Sequence, residues 1–141
     1  MRVMAIDFGD RRTGLAVSDM SAMICGDALT INESDMERLA EHIARETEAR
    51  GVGTLVLGLP KNMNGTEGPR AEKSRELAAL LKEKTGLEPV LWDERLSSVE
   101  AHAILHANGR KMKDHRKNVD AVAATLLLES FLNSRFSRER T

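Results

Sequence analysis

Apolar residues run almost unbroken from Val3 to Phe8, give way to Gly9-Asp10-Arg11-Arg12-Thr13-Gly14, and resume in Leu15-Ala16-Val17-Ser18. Two short apolar runs around a polar, glycine-bearing turn predict a β-hairpin. A third strand is expected between Ala22 and Leu29, the weakest of the set because Gly26 and Asp27 interrupt it. The period then changes: Met36, Leu39, Ala40, Ile43 and Thr47 recur at helical spacing as far as Gly51, and Ser34 with Glu37 has the spacing of a capping box. Leu55-Val56-Leu57, ended by Gly58-Leu59-Pro60, predicts a strand covered on both faces.

Residues 61–68 are polar and glycine-containing, hence a loop, and Pro69 opens a helix through Ala71, Leu77, Ala78 and Leu81 that Gly86 closes. Pro89-Val90-Leu91-Trp92 predicts a further strand, ending at Asp93-Glu94-Arg95. Ser97 with Glu100 repeats the capping-box spacing and predicts a helix over 98–108, stopped by Gly109. The run Arg110 to Lys117 is basic and without hydrophobic period, so it reads as a loop. An Ala- and Leu-rich helix from Val119 to Asn133 must be largely buried, and the charged tail 134–141 is expected to fray. Three strands joined by short turns, then helix, strand, helix, strand, helix, predict an α/β fold with a mixed five-stranded sheet, antiparallel first and continued by parallel crossovers.

Composition narrows this picture without redirecting it. The 141 residues suit a single domain spanning the whole chain, and 41% hydrophobic with 30% charged residues excludes a disordered or fibrous polymer. The single cysteine, Cys25, rules out an intrachain disulfide or a multi-cysteine zinc site and suits a reducing compartment. The apolar stretch at the N-terminus stops at Asp7, too early for a signal peptide, and no run approaches the roughly 18 residues of a membrane span, so a cytoplasmic location is expected. A net charge of −1 gives no global pull toward a polyanion, so any nucleic-acid contact must rest on local patches.

Candidate chemistry lies where carboxylates disturb apolar patterns: Asp7 at the end of the first strand, Asp93 and Glu94 after the last, Asp120 in the first turn of an apolar helix. Each has an ordinary explanation alone. Asp7 suits an Asx-type turn, Asp120 a helix N-terminus, and Asp93-Glu94 a solvated strand end. Together they have another reading, because acids leaving strands at the carboxyl edge of a parallel sheet converge, and a cluster of that kind needs a cation.

Four motifs occur in order: Asp7-Phe8-Gly9-Asp10-Arg11-Arg12-Thr13-Gly14-Leu15-Ala16, then Gly58-Leu59-Pro60 with Asn64-Gly65-Thr66, then Asp93-Glu94-Arg95-Leu96-Ser97, then Asp120-Ala121-Val122-Ala123-Ala124. On these the chain resembles the YqgF family of Holliday junction resolvase-like nucleases, over nearly its whole length, from Val3 to Leu132. The resemblance implies a three-layer RNase H-like fold, an acidic triad of Asp7, Glu94 and Asp120 as both catalytic residues and metal ligands, and a role in trimming the 5′ end of pre-16S ribosomal RNA. The substrate it implies is pre-rRNA, with branched DNA the alternative, acted on by a monomer or homodimer that meets ribosomal particles. One departure stands out: related resolvases carry a second aspartate one turn further along the last helix, where this chain has Val122, Ala123 and Ala124. Hydrolysis would use Mg2+ or Mn2+, two ions about 3.5 to 4 Å apart, since oxygen ligands favour these over zinc.

Cations stand beside these acids: Arg11 and Arg12 in the first turn, Lys61 and Arg70 flanking the polar loop, Arg95 next to the acid pair, and Arg110, Lys111 and Lys113 in the basic run. They are candidates for phosphate contacts. With no tyrosine, one tryptophan and three phenylalanines, stacking of unpaired bases is not the expected mode of recognition. His102 and His106 share a helical face but lack the glutamate of a zinc-protease motif, and Cys25 reads as a small core residue. A non-cleaving RNA-binding factor of the same fold is the competing function. Replacing Arg110, Lys111 and Lys113 by alanine is expected to weaken nucleic-acid binding and to lower the slope of log K against log salt by about 2 to 3, measured by titration across salt concentrations.

Overall fold

A computed structural model describes residues 1–94 and 119–139, with the side chains of the last helix placed from Asp120 to Ser134. The elements are β1 (Arg2–Asp7), β2 (Arg12–Ser18), β3 (Cys25–Asn32), α1 (Met36–Ala49), β4 (Val52–Leu59), α2 (Pro69–Thr85), β5 (Val90–Asp93) and, as the third helix among the described residues, α3 (Val119–Glu139). The strands form one sheet in the order β3-β2-β1-β4-β5. β1 pairs antiparallel with β2 and β2 with β3, whereas β1–β4 and β4–β5 are parallel. This is the mixed sheet that the pattern predicts.

Strand periodicity assigns the layers. Met4 and Ile6 of β1, Leu15 and Val17 of β2, and Leu55 and Leu57 of β4 face α1 and α2, and pack with Leu39, Ile43, Leu77 and Leu81. Val3, Ala5, Ala16 and Val56 face the other way, onto Ala124, Leu127, Leu128 and Leu132 of α3. β1 and β4 are thus buried on both faces, which is why they read as continuous apolar runs. Each large side chain enclosed this way contributes roughly 1.5 to 3 kcal/mol of transfer free energy. Among the described residues no helix is long and apolar enough to cross a membrane.

Local details depart from the expected pattern for physical reasons. The third strand starts at Cys25 and runs to Asn32 because residues 19–24 are used by a turn: the Asp19 carboxylate accepts from the backbone N–H groups of Met23 (2.9 Å) and Ile24 (3.2 Å), and Ala22 takes φ +56°. The hairpin turn is shorter than expected, since Arg12 already pairs with Asn32. Helix α1 is capped by Asp35 and not by Ser34: Arg38 N–H donates to the Asp35 carboxylate at 3.0 Å, while the Glu33 carboxylate takes the N–H groups of Ser34 and Asp35. α2 begins at Pro69 and ends against Gly86 in the left-handed conformation, φ +78°, as its proline and glycine predict. α3 continues to Glu139, beyond the expected end at Asn133. The helix expected over 98–108 and the basic run at 110–117 lie outside the described residues.

The cap assignment has a direct consequence. Asp35→Ala is expected to cost about 1 kcal/mol and to lower the melting temperature by roughly 2 to 4 °C, with Ser34→Ala close to neutral, measured by thermal denaturation.

Candidate active site

The same alternation that builds the core gathers the acids. Asp7 is two residues beyond Ala5, so it faces α3. Its partner across β2 is Gly14, and the register of β1 with β4, Ile6 opposite Leu57, makes Gly58 its neighbour on the other side. Glu94, two residues beyond Trp92, also falls on the α3 face, at the carboxyl end of β5, where its N–H donates to the Leu59 carbonyl at 3.2 Å. Asp93 falls on the opposite face, so of the two acids it is Glu94 that reaches Asp7.

Two glycines make room for this meeting. A Cβ on Gly58 would lie 2.5 Å from Glu94 Oε1 and 3.0 Å from its Cγ, so a side chain there would occupy the carboxylate's place. A Cβ on Gly14 would overlap the backbone carbonyl of Asp120, so glycine lets the first turn of α3 rest directly on β2. At the other end of the groove, Trp92 Nε1 donates to Ser130 Oγ (3.1 Å) and the Trp92 ring meets Phe131 edge-on at 5.5 Å. These contacts clamp β5 to α3 and hold the strand end that carries Glu94.

Asp7 and Glu94 face each other carboxyl to carboxyl, and each acts on the other's acidity. The Asp7 carboxyl is pushed up to about 7, first by burial and then by the charge of Glu94 and its hydrogen bond, with Asp120 adding to the push and Arg70 opposing it. Burial also raises Glu94, against the lowering effects of the Asp7 hydrogen bond and Arg70. Asp120 is engaged with Arg12, Nε to Oδ2 at 3.9 Å. Among the described residues no three acidic, histidine or cysteine side chains already form a metal shell. The pair and the nearby third acid nevertheless fit a small hard cation: they offer only oxygen donors, and magnesium commonly takes one or two carboxylates, completing its octahedron with water and substrate phosphate.

Of the expected phosphate-binding cations, Arg70, in the first turn of α2, acts electrostatically on both buried acids, and Arg12 is drawn to Asp120. Arg11 is exposed on the same turn, and Lys61 pairs across the loop with Glu67. Arg95, Arg110, Lys111 and Lys113 lie outside the described residues. Sequence reasoning missed the glycines at 14 and 58 as part of the site, although both lie within or beside the motifs. Their signal is a close approach between elements distant in the chain.

A three-layer α/β fold with acids at the carboxyl end of its first and last strands and at the start of the covering helix defines the RNase H-like class. Two solved structures share the architecture: RuvC of Thermus thermophilus in complex with a Holliday junction substrate, at TM-score 0.62 and 12% identity over 100% of this chain and 97% of that one, and the fowlpox virus resolvase in complex with Holliday junction DNA, at 0.58 and 13% over 95% and 98%. Residues 1–134 match the model of the RuvX family, described as Holliday junction resolvase. Relatives whose names propose a pre-16S rRNA nuclease occur in Carboxydothermus hydrogenoformans, with 38% identity over 94% of this chain and 96% of the relative. In Geobacillus thermodenitrificans the values are 41%, 96% and 99%, and in Clostridium botulinum 42%, 95% and 98%. The chain belongs to the RuvX family, the YqgF group of the sequence resemblance, and is a nuclease.

The raised Asp7 carboxyl sets the sign of a stability measurement. Because its folded value lies near 7 and its ordinary value is 3.8, the folded chain holds an extra proton between those limits, and stability falls as pH rises from about 4 to 7. Asp7→Asn is expected to remove most of that fall and to be more stable than the parent at pH 8 without metal, by on the order of 2 kcal/mol after allowing for solvent access, measured by urea denaturation at pH 5 and pH 8.

Proposed function

We propose that this chain hydrolyses phosphodiester bonds at the 5′ end of pre-16S rRNA, with Asp7, Glu94 and Asp120 holding divalent magnesium or manganese. The observation that carries the reading is the Asp7–Glu94 pair: two half-buried carboxyls that face each other, both raised by burial even with Arg70 opposing the shift. A bound divalent ion would supply Lewis-acid stabilisation and a water of lowered pKa, and a second ion would stabilise the leaving oxygen. The preference for pre-rRNA rests on the names of relatives about 40% identical over nearly their full length.

In this reading Asp7, which interacts with both Glu94 and Asp120, would be a metal ligand together with them. It must lose its proton before it can ligate, so metal affinity depends on pH. Arg70 opposes the charge accumulated on Asp7 and Glu94, and holds a non-bridging oxygen of the scissile phosphate when substrate arrives. Arg12 exchanges its contact with Asp120 for a neighbouring phosphate, which frees Asp120 to turn toward Asp7. Arg11 and Lys61 extend the phosphate track on either side. Trimming one strand needs one such centre, so a monomer suffices, whereas symmetric cutting of a four-way DNA junction needs a two-fold pair.

The test is cleavage of a 5′-extended 16S precursor fragment and of a synthetic four-way DNA junction by highly purified protein with Mg2+ or Mn2+. Asp7→Asn and Glu94→Gln are each expected to lower kcat by at least about a hundredfold, a loss of ~3 kcal/mol or more. The apparent metal Kd is expected to fall about tenfold per unit of pH as pH approaches 7 from below, in step with release of the Asp7 proton. Metal-independent cleavage, or full activity in both variants, would remove the assignment. Cleavage of the junction alone would transfer the function to branched DNA.

A further inference from the structure

β1, β4 and β5 lie side by side in the sheet, so a carboxylate that leaves the end of β5 must cross β4 to meet Asp7 at the end of β1. Adjacent strands are roughly 4.8 Å apart, which puts about 10 Å of sheet between the two backbones. On the face that α3 covers, the row across β4 runs from Asp7 through Gly58 to Trp92. Glu94 is one step beyond Trp92 on that face, and its side chain lies back over Gly58. A Cβ there would meet Glu94 Oε1 at 2.5 Å, Cγ at 3.0 Å and Cδ at 3.2 Å, all three of them side-chain atoms of the one residue.

Nothing in the backbone asks for glycine at this position. Gly51, Gly65 and Gly86 take positive φ, whereas Gly58 does not, and it sits within a strand that lies between two others. A glycine in such a place weakens a strand relative to alanine, because it loses more freedom on folding and brings no side chain to pack. Gly14 is a different case: a Cβ there would overlap the backbone carbonyl of Asp120, which cannot move without α3. At Gly58 the obstructed atoms are the outer part of a flexible side chain, which can swing aside. The fold therefore accommodates a methyl group at 58, and what changes is the direction in which Glu94 points.

We propose that Gly58 is a positioning residue for Glu94: its bare Cα is the seat across which the glutamate reaches Asp7, and the chain gives up strand stability to keep that seat open. The inference rests on the reading of Asp7 and Glu94 as metal ligands, and goes beyond it by assigning the aim of one ligand to a residue on the neighbouring strand. Its signature is a pair of opposite effects, with Gly58→Ala preserving or raising stability while weakening the cation. A glycine kept for the fold alone would show the reverse.

The experiment compares the full parent chain with Gly58→Ala, Glu94→Ala and the double variant, by thermal denaturation in EDTA and by Mn2+ titration at pH 8 with the free ion followed by electron paramagnetic resonance. Gly58→Ala is expected to melt no lower than the parent and to bind Mn2+ about tenfold more weakly. In the Glu94→Ala background, where the obstruction is gone, Gly58→Ala is expected to leave Mn2+ affinity unchanged and to raise the melting temperature by about 2 °C, more than in the parent. Parent-like Mn2+ affinity in Gly58→Ala, or equal weakening in both backgrounds, overturns the proposal. So does a loss of melting temperature in Gly58→Ala that Glu94→Ala fails to restore. Absence of Mn2+ binding by the parent would instead count against the metal-site reading, and the melting temperatures then decide the seat: equal shifts from Gly58→Ala with and without Glu94 overturn it.

Discussion

Two half-buried carboxyl groups facing each other, both raised above the ordinary carboxylate range by burial, are the constraint around which this molecule is arranged. Such a contact is unfavourable whenever both groups are charged, and a side chain free to move would relieve it by swinging into water. The fold prevents that escape. Asp7 is fixed by a strand paired on both sides, Glu94 by a strand end locked to α3 through Trp92, Ser130 and Phe131. Strain of this kind is tolerated at functional sites because binding of the intended partner can release it, and a carboxyl pair of this sort suits a positively charged one.

The surroundings complement the centre in charge and in mobility. Arg70 and Arg12 lie at the rim, the first acting on the buried pair and the second on Asp120. An acidic interior with cations around it suits a phosphodiester, whose charged oxygens arginines at the rim could meet. It also accounts for a net charge near zero in a protein that handles a polyanion: the two populations are needed in similar numbers, at different places. The Arg12–Asp120 contact is long and exposed, so it is a weak restraint that substrate can replace.

Much of this was legible beforehand, and the misreadings are instructive. Strands β1 and β4 and helix α2 follow from local physics: continuous apolar runs, Pro69 at the first helical position, Gly86 just past the last. Ser34 and Asp35 are both good caps at adjacent positions, and pattern alone cannot say which begins the helix. The contact that decided it is the Glu33 carboxylate, which takes the N–H groups of both and leaves Asp35 to cap α1. The start of β3 moved because Asp19 recruited residues as far as Ile24 into its own turn, a side-chain-to-backbone competition that hydrophobicity does not register.

From the order of its residues alone, the chain determined the succession of elements, their apolar faces and the three places where an acid breaks an apolar pattern, because propensity and periodicity are local properties. Tertiary structure decided that Glu94 and not Asp93 meets Asp7, that Gly58 leaves the space for that meeting, and that Gly14 lets α3 approach β2 closely. These depend on which face of a pleat is covered by which helix, and on registers between strands far apart in the chain. Such relations arise only when the layers pack, since the energy that selects them comes from contacts across space and not from any one segment.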